Sequence, residues 1–514
     1  MGYVERIREN FQKHGASSNG WQFRLVLMGK DRWKWKKAGW VVVGRLALAA
    51  ACCAISACSG VGAKRSIANR SEAFAKPRNL LLISVDTLRA DHLGCYGYPR
   101  PTSPEIDAFA RGGSLVTTAF AASPHTAPSH MSMFTSQYPF EHGILSQYEG
   151  AFRGTASTLA EVLQRAGYDT AAFVGISGPG FHFGPDAGHA RGFRIWESPN
   201  RFFELDRNIR VWLAAHRDMP FFLFVHAYDL HDPQLVFDGF DANRFDPEYH
   251  GPIPGTWGEF LRATNFPLDW PMVLQVLTSG TYAELNPLYA QLVQRYQALL
   301  DGAAVGHVQA VYDAQIFYAD RGIGRLLGWV KELGLEANTL VVLTADHGQE
   351  FGEHGKIAAH GQLYDETLHV PLIFHGPGIP SDRRLDSLVS SLDILPTALD
   401  LLGVKIPETA RGLSLAPLLV GKKTGEIQEE VFAALGDDTA IRTREWKLIV
   451  HGDGSQELYD VRRDPGERDN VVAQQPAAAL TLAHRLREQL RQTRTTSAVG
   501  DEVLKERLRT DGYW

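Results

Sequence analysis

The residues best suited to chemistry in this sequence lie where apolar runs give way to small and polar side chains. Thr126 opens one such segment, and Pro128 follows at the position of a first helical turn. A hydroxyl there lies at the positive end of a helix dipole, which favours an anionic substrate and the alkoxide of the threonine. We therefore predict that Thr126 is a nucleophile; the alternative is an ordinary helix-capping threonine.

Two further segments carry acids and an imidazole in the same setting. Asp86 follows one apolar run, and Asp346 and His347 follow another. A divalent ion bound by such residues would lower the pKa of a coordinated hydroxyl and polarise an oxyanion. We predict a metal site in which Thr126 is both a ligand and the nucleophile. Taken alone, the Asp-His-Gly sequence would also fit a capped turn.

Histidines near these segments are candidates for binding the substrate. His231 follows an apolar run, and His360 follows the Asp-His pair. Imidazole has a pKa suited to binding an oxyanion or protonating a leaving group, although each histidine taken singly could be structural. His226, His354 and Lys356 are further candidates, for which a structural role is an equal alternative.

The elements that must position these residues are alternating strands and helices from residue 79 onward, which predicts an α/β fold. Three apolar runs are continuous, as in strands buried on both faces of a parallel sheet, and ligands collect at the carboxyl ends of such strands. The runs are residues 80–85, 220–225 and 339–344. Helices are predicted at residues 104–112, 158–166, 312–333 and 391–402.

The pattern changes after residue 412, where short strands and a closing helix over residues 477–493 follow. This change predicts a large catalytic domain over residues 78–412 and a smaller α+β subdomain over residues 413–514. Residues 234–287 lack a clear period and are rich in proline and aromatic residues. We interpret them as an insertion on the substrate side.

The N-terminal residues are predicted to be an export segment. A basic run at residues 30–37 precedes an apolar stretch that ends in Ile-Ser-Ala-Cys, and this ending resembles a bacterial lipobox with Cys58 as the acylated residue. Residues 1–58 are therefore predicted to be a lipoprotein signal, with translation starting at Met28, and residues 59–77 a tether. The alternative is an uncleaved membrane anchor. Either way the catalytic part is expected outside the cytoplasm, in the periplasm or on the outer membrane.

The composition restricts the partners. With 44% hydrophobic and 21% charged residues and a formal net charge of -6, the chain has the composition of a globular protein without a broad basic surface. A nucleic-acid partner is therefore not expected. Three of the four cysteines lie in the N-terminal apolar segment, so Cys95 has no partner for a disulfide within the globular part.

Five motifs together resemble the sulfatases of the alkaline phosphatase superfamily, over roughly residues 78–475. The resemblance implies a large mixed sheet flanked by helices, a smaller C-terminal sheet, and a divalent ion (zinc, manganese or calcium) held by Asp86, Asp346, His347 and the nucleophile. The motifs are SVDTLRADHLG at residues 84–94, TAPSH at 126–130, DRGIG at 320–324, ADHG at 345–348, and ELYD at 457–460 followed by DPGE at 464–467.

Several departures from the family pattern fall on the catalytic residues. Thr126 occupies the position of the cysteine or serine that sulfatases convert to formylglycine, and its extra methyl group blocks that conversion. His130 replaces the arginine of the same motif, Thr87 a second aspartate, and His360 a lysine. His347 in place of an asparagine suits zinc or manganese better than calcium. Asp229, together with His231 and His360, could complete a second metal site.

The expected function is that of an exported, metal-dependent hydrolase of a sulfate or phosphate-type ester, with Thr126, His130, His231 and His360 as catalytic residues. The substrate would be a small-molecule, glycan or lipid ester, and a phosphodiester or phosphonate is favoured over a sulfate. One alternative is transfer of a phosphate-linked head group in the cell envelope. The other is a binding protein built on a sulfatase fold that has lost catalysis.

Overall fold

A computed structural model describes residues 76–147, 152, 154–175, 183–198, 207–231, 240–251 and 302–494. The predicted export segment, the acylation of Cys58 and most of the predicted insertion lie outside these residues. Among the described helices, each is too short or too polar to cross a bilayer.

The central feature is an eight-stranded mixed sheet. Its strands are β1 (Asn79–Val85), β2 (Ser114–Phe120), β3 (Asp169–Val174), β4 (Ile195–Glu197), β5 (Phe221–Ala227), β6 (Thr339–Thr344), β9 (His369–His375) and β10 (Arg383–Ser390); a separate hairpin contains β7 (Glu350–Phe351) and β8 (Ile357–Ala359). The strand order is β10-β2-β9-β6-β1-β5-β3-β4, and β9 alone among these eight runs antiparallel to its neighbours. The prediction of a large, mostly parallel mixed sheet is therefore confirmed.

The three strands predicted from continuous apolar runs lie side by side in the middle of the sheet. Every residue of β1, β5 and β6 is buried, because side chains on both faces of these strands pack against other elements. In the parallel register, Leu82 of β1 lies beside Phe224 on one side and Val342 on the other. The carboxyl ends of these strands therefore meet at one edge of the sheet.

The helices agree with the predicted ones, with one difference. The helix predicted at residues 312–333 begins ten residues earlier, because small and apolar residues continue the helical segment from Gly302 onward. The helices are α1 (Pro104–Arg111), α2 (Thr126–Thr135), α3 (Pro139–His142), α4 (Leu159–Arg165), α5 (Arg207–Ala215), α6 (Gly302–Glu332), α7 (Asp365–Leu368), α8 (Ile394–Leu402), α9 (Ala416–Leu419) and α10 (Pro476–Arg494), with short 3₁₀ turns at Ala90–His92, Gly94–Tyr96, Glu336–Asn338 and Ser391–Asp393.

A separate antiparallel sheet forms the smaller C-terminal part, as predicted. Helix α10 covers it, and their common core includes Phe432, Leu448 and Leu482. The exact division between the two parts at residue 412 stays a prediction. The strands of this sheet are β11 (Glu430–Leu435), β12 (Asp438–Thr443), β13 (Trp446–Val450) and β14 (Gln456–Asp460).

A buried lysine joins this smaller sheet to α7 and to Glu467. Lys447 of β13 is completely buried, and its ammonium lies 2.8 Å from Asp365 and 2.7 Å from Glu467. Arg442 also pairs with Asp365, at 3.0 Å. Because a buried ammonium is stable only when it is paired, these contacts hold α7 against the C-terminal sheet.

Candidate active site

The candidate site lies at the carboxyl ends of the three central strands. Asp86 follows β1 directly, His226 is near the end of β5, and Asp346 follows β6 after one residue. Because the strands are parallel neighbours, Ser84 lies beside His226 on one side and Thr344 on the other. The strand register thus brings together residues that are far apart in the sequence, such as Thr87 and Asp346, which are separated by 259 positions.

Thr126 is the first residue of α2 and reaches the same point from the other side. Its hydroxyl donates to Asp86 Oδ2 at 3.3 Å and lies 3.2 Å from His347 Nε2. The N-cap position is occupied by His125, whose side chain makes no capping hydrogen bond. Thr126 is therefore not the capping residue of α2, and the alternative of an ordinary capping threonine is wrong.

The predicted metal ligands form a completely buried cluster. Ligand atoms of Asp86, Asp346 and His347 lie within 4.8 Å of one another, and His347 Nε2 lies 3.4 Å from Asp346 Oδ2. Asp86 Oδ1 and Asp346 Oδ2 lack a hydrogen-bond partner among the described residues. Buried carboxylate oxygens in that condition are unstable unless a further group, such as a cation, satisfies them.

The hydrogen bonding of His347 fixes which nitrogen can bind a metal. Its Nδ1 lies 2.9 Å from the carbonyl of Gly348, which can only accept, so Nδ1 carries the proton. Burial lowers the pKa of His347 to about 4, so the ring is neutral near pH 7 and Nε2 presents a lone pair. That lone pair faces the oxygens of Asp86 and Asp346, an arrangement that is repulsive unless a cation or a proton lies between them.

The two carboxylates differ in charge. Burial by itself would raise the pKa of Asp86, but the charge of His231 and a hydrogen bond from His226 lower it below its ordinary range. Burial and the neighbouring charge of Asp86 raise the pKa of Asp346 well above its usual value. Two carboxylates this close resist joint ionisation unless a positive charge lies between them.

His130 lies behind Thr126 rather than beside its hydroxyl. Nδ1 donates to the Thr126 carbonyl at 2.9 Å, and Nε2 lies 2.9 Å from the Ser84 hydroxyl. The ring is completely buried against Phe183 and Phe224. The contacts of His130 therefore join α2 to β1, and its predicted catalytic role stays a prediction.

His231 and His360 lie together next to the ligand cluster. Their ring centroids are 4.8 Å apart, and His360 also stacks on His347 at 4.6 Å. His231 Nδ1 lies 2.8 Å from the Tyr228 hydroxyl. His125 contacts His360 edge to face at 5.7 Å. The structure thus brings both predicted substrate-binding histidines to the face of the cluster, although their roles stay predictions.

Of the three remaining candidates, His226 contacts the ligand cluster, whereas His354 and Lys356 lie in the chain that follows it. His226 donates from Nε2 to Asp86 Oδ2 at 3.1 Å, and together with His130 and Asp346 it forms a second buried group of potential ligands. His354 lies away from the cluster, with its ring stacked on Tyr364 at 3.5 Å. Lys356 lies just before β8, in the hairpin that leads to His360.

The suggested second metal site of Asp229, His231 and His360 does not form a cluster of ligand atoms within 4.8 Å among the described residues. Asp229 instead lies at the end of β5, where its carbonyl accepts from Gln315 at 3.1 Å.

Sequence reasoning assigned no role to some residues that contact the site. Ser129 was part of the TAPSH motif, and its hydroxyl donates to the Asp346 carbonyl at 2.6 Å. Tyr312 contacts the turn that follows Asp86. The small residues around Thr126 could have indicated a role for Ser129 at the site. Tyr312 lies in an apolar helical pattern, which indicates only that it is buried in the core.

Comparison with known proteins places this fold among sulfatases. The sequence model of the Sulfatase family matches residues 78–404, and that of the N-sulphoglucosamine sulphohydrolase C-terminal region matches residues 352–496. The chain is 25% identical over 450 residues to a delta 4,5-hexuronate-2-O-sulfatase of Bacteroides thetaiotaomicron, a match that covers 81% of this chain and 88% of the relative. It is 26% identical to an N-acetylglucosamine-6-O-sulfatase of the same organism, over 79% of this chain and 84% of the relative.

A solved structure shares the fold at lower sequence identity. The phosphonate monoester hydrolase of Agrobacterium radiobacter superposes with a TM-score of 0.60 at 21% identity, over 81% of this chain and 96% of that enzyme. The matched family region covers well over half of the 514 residues. The chain therefore belongs to the sulfatase family, a family of ester-hydrolysing enzymes within the alkaline phosphatase superfamily.

Proposed function

We propose that this chain is a metal-dependent hydrolase of a sulfate or phosphate-type ester, with the hydroxyl of Thr126 as its nucleophile. The observation that carries the proposal is the position of that hydroxyl, 3.3 Å from Asp86 and 3.2 Å from His347 at the first residue of a buried helix. A threonine that served only for packing would not need two ionisable partners there.

The donor set fits a divalent ion. Asp86, Asp346, His347 and Thr126 would hold it. The Thr126 hydroxyl lies 3.2–3.3 Å from His347 and Asp86, and His347 Nε2 lies 3.4 Å from Asp346 and 3.8 Å from Asp86, so these groups are close enough to share one cation. Carboxylates combined with an imidazole favour zinc or manganese over calcium. A bound ion would lower the pKa of the Thr126 hydroxyl and polarise the ester.

The protein's own groups would complete the site. The N-terminus of α2 stabilises negative charge on the Thr126 oxygen and on the substrate. Asp86 would orient the hydroxyl through the hydrogen bond that its Oδ2 accepts, and the same oxygen also accepts from His226. His231 and His360, whose rings contact each other beside the cluster, would donate to the ester oxygens or to the leaving group. His130 supports the backbone of Thr126.

The chemistry of threonine favours a phosphorus ester. Attack by Thr126 on a phosphodiester or phosphonate monoester would form a threonine ester and expel the leaving alcohol, and water could then attack phosphorus to restore the hydroxyl. A sulfo-threonine would lack the second hydroxyl through which a formylglycine hydrate eliminates sulfate. The fold itself is compatible with either ester, since a 2-O glycosaminoglycan sulfatase and a phosphonate monoester hydrolase both share it.

A sulfate ester of a glycan is the second candidate. Both curated relatives reported above are sulfatases that their names assign to sugar substrates, a hexuronate and an N-acetylglucosamine. A glycan substrate is compatible with either ester. Transfer of a phosphate-linked group to an acceptor alcohol would use the same covalent step. The buried ligand cluster argues against a binding protein that has lost catalysis, since such a protein would have no need to retain it.

We also infer export to the cell envelope. The support is the sequence alone: a basic run, an apolar stretch and a lipobox-like ending at Cys58. A lipid on Cys58 would tether the catalytic part at the membrane surface through residues 59–77, and an uncleaved anchor would do the same without cleavage.

The test compares nitrophenyl sulfate, phosphate, phosphodiester and phosphonate substrates with zinc, manganese or calcium supplied. We expect the fastest turnover on the phosphodiester or phosphonate, and a loss of at least about a thousandfold in Thr126→Ala. Thr126→Ser is the matched control because it keeps the hydroxyl, provided that the protein is made in a host without the enzyme that forms formylglycine, since serine lacks the methyl group that blocks that conversion. Wild-type rates in Thr126→Ala would remove Thr126 from the mechanism, and products formed on an added alcohol would identify transfer.

A further inference from the structure

Tyr312 lies in α6 and contacts the turn that carries Asp86. Its side chain is completely buried. Its hydroxyl donates to the carbonyl of Thr87 at 2.6 Å and accepts from the amide of Arg89 at 2.9 Å. Burial raises the pKa of Tyr312, so the hydroxyl stays protonated and keeps its role as a donor. One phenol therefore satisfies two backbone groups of the segment that directly follows Asp86.

The turn that Tyr312 contacts is strained. Thr87 has a φ of 57°, in the left-handed region that β-branched residues rarely adopt. In this conformation the Thr87 amide donates to Asp346 Oδ1 at 3.2 Å. The strained turn thus joins the loop that carries Asp86 to the side chain of Asp346 through a direct hydrogen bond.

Helix α6 is anchored well enough to hold the turn in place. Asp313, the residue after Tyr312, is completely buried and lies 2.7 Å from both His92 and Arg100. Further along the helix, Asp320 accepts from the amides of Glu105 and Ile106 at the start of α1. These buried carboxylates fix the helix against the loops after β1, so the Tyr312 hydroxyl has a set position.

We propose that Tyr312 is a positioning residue for the candidate metal site, holding the Thr87 turn in the conformation that aligns Asp86 with Asp346. This inference rests on the metal site proposed above. Without the phenol hydroxyl, the Thr87 carbonyl and the Arg89 amide lose their buried partner, and the turn can relax out of the left-handed region. The Thr87 amide then no longer restrains Asp346, and the ligands are less preorganised for a cation.

The test measures metal affinity rather than activity. The metal-free full chain is titrated with Mn²⁺ or Zn²⁺ against a competing chelator, for the wild type and for Tyr312→Phe. Phenylalanine keeps the buried ring, so the variant is expected to fold. Tyr96→Phe is the matched control, because its hydroxyl also donates to a backbone carbonyl (Val116, 2.9 Å) and accepts from a backbone amide (Leu372, 2.9 Å), but it joins β2 to β9.

We expect the dissociation constant of Tyr312→Phe to rise about tenfold or more, as for other groups that orient metal ligands, and that of Tyr96→Phe to stay within about twofold. A second comparison repeats Tyr312→Phe in a Thr87→Gly background. Glycine adopts a positive φ without strain, so the turn no longer needs the phenol and the loss should shrink to about threefold or less.

Equal affinities in Tyr312→Phe and Tyr96→Phe would overturn the inference while leaving the metal site intact. The same holds if Tyr312→Phe costs as much affinity in the Thr87→Gly background as in the wild type, because the effect would then not pass through the turn. A wild-type chain that binds neither ion would overturn the metal site and this inference together.

Discussion

Glu350 is a buried acid whose ionisation should destabilise the fold. Replacing it with a neutral residue should therefore raise the free energy of unfolding at high pH, which tests the electrostatics beside the site. It is the first residue of β7 and is completely buried. Its carboxylate oxygens have no partner with hydrogen-bond geometry among the described residues, although the Gln362 backbone lies near. Burial, together with the charges of Glu366 and Glu353, raises its pKa from 4.5 to about 7, and Lys356 offsets only part of this.

The sign and size of the effect follow from that pKa. The folded chain holds the Glu350 proton more tightly than the unfolded chain does, so the stability falls as pH rises from about 4.5 to 7 and is constant above that. The difference corresponds to up to about 3 kcal/mol, since each pKa unit is worth about 1.4 kcal/mol. Below about pH 4.5 both states are protonated at this position, and the contribution vanishes.

The assay is urea unfolding of the wild type and Glu350→Gln at several pH values from 5 to 8. We expect the stability advantage of Glu350→Gln to grow from pH 5 to about pH 7 and then to level off, because glutamine has no charge to bury. Glu353→Gln is the control on the same hairpin. Burial by itself would raise the pKa of Glu353, but its ion pair with Arg89 at 2.6 Å lowers it, so that variant should lose stability at pH 8.

Other buried acids also titrate in this range, so the wild-type pH dependence alone cannot be assigned to Glu350. The difference between the two chains isolates it, because every other group is common to both. Parallel stability curves for the wild type and Glu350→Gln would refute the reasoning. They would mean that the Glu350 carboxylate is solvated or paired, and therefore costs nothing to ionise.

Three further changes have expected outcomes. Lys447→Met should lower the free energy of unfolding by about 3–5 kcal/mol, because it leaves Asp365 and Glu467 buried without their shared ammonium; adding Glu467→Gln should recover part of this loss in the same urea assay. Asp346→Asn should reduce the bound divalent ion per chain, measured by elemental analysis, and unchanged metal would place the site elsewhere. Cys58→Ala should move the protein from the membrane to the soluble fraction, whereas retention would favour an uncleaved anchor.

The central strands could be predicted because they are buried on both faces, and such strands need apolar residues at every position. Strands β1, β5 and β6 have such runs. The sequence pattern predicts the start of α6 ten residues too late. The first turns of the helix contain glycine and alanine, which do not produce a clear apolar repeat of helical period. Propensity and pattern thus identified the element but not its beginning.

The site could be predicted in part for a related reason. Asp86, Asp346 and His347 interrupt apolar surroundings at strand ends, and a polar group in that setting needs a partner. Tyr312 gives no such signal, because a tyrosine in an amphipathic helix is ordinary core. Its contact with Thr87 spans 225 residues and exists only through the packing of α6 on the loop. Interactions of that kind depend on tertiary structure and cannot be read from local sequence.

The charge around Thr126 bears on which ester the site would accept. His130 and His360 occupy positions where the sulfatase pattern has an arginine and a lysine. An imidazole carries at most a fractional charge near pH 7 while those side chains carry a full one, and of the two histidines only His360 stacks on His347, whereas His130 lies behind Thr126. Arg89, which lies close to the site, is already paired with Asp91 and Glu353. Among the described residues, a dianionic phosphate monoester would therefore meet less fixed positive charge than the sulfatase pattern supplies, even with Lys356 near His360. An ester with a single negative charge, such as a phosphodiester, a phosphonate monoester or a sulfate, matches the imidazoles better, and this is the property that the proposed substrates share.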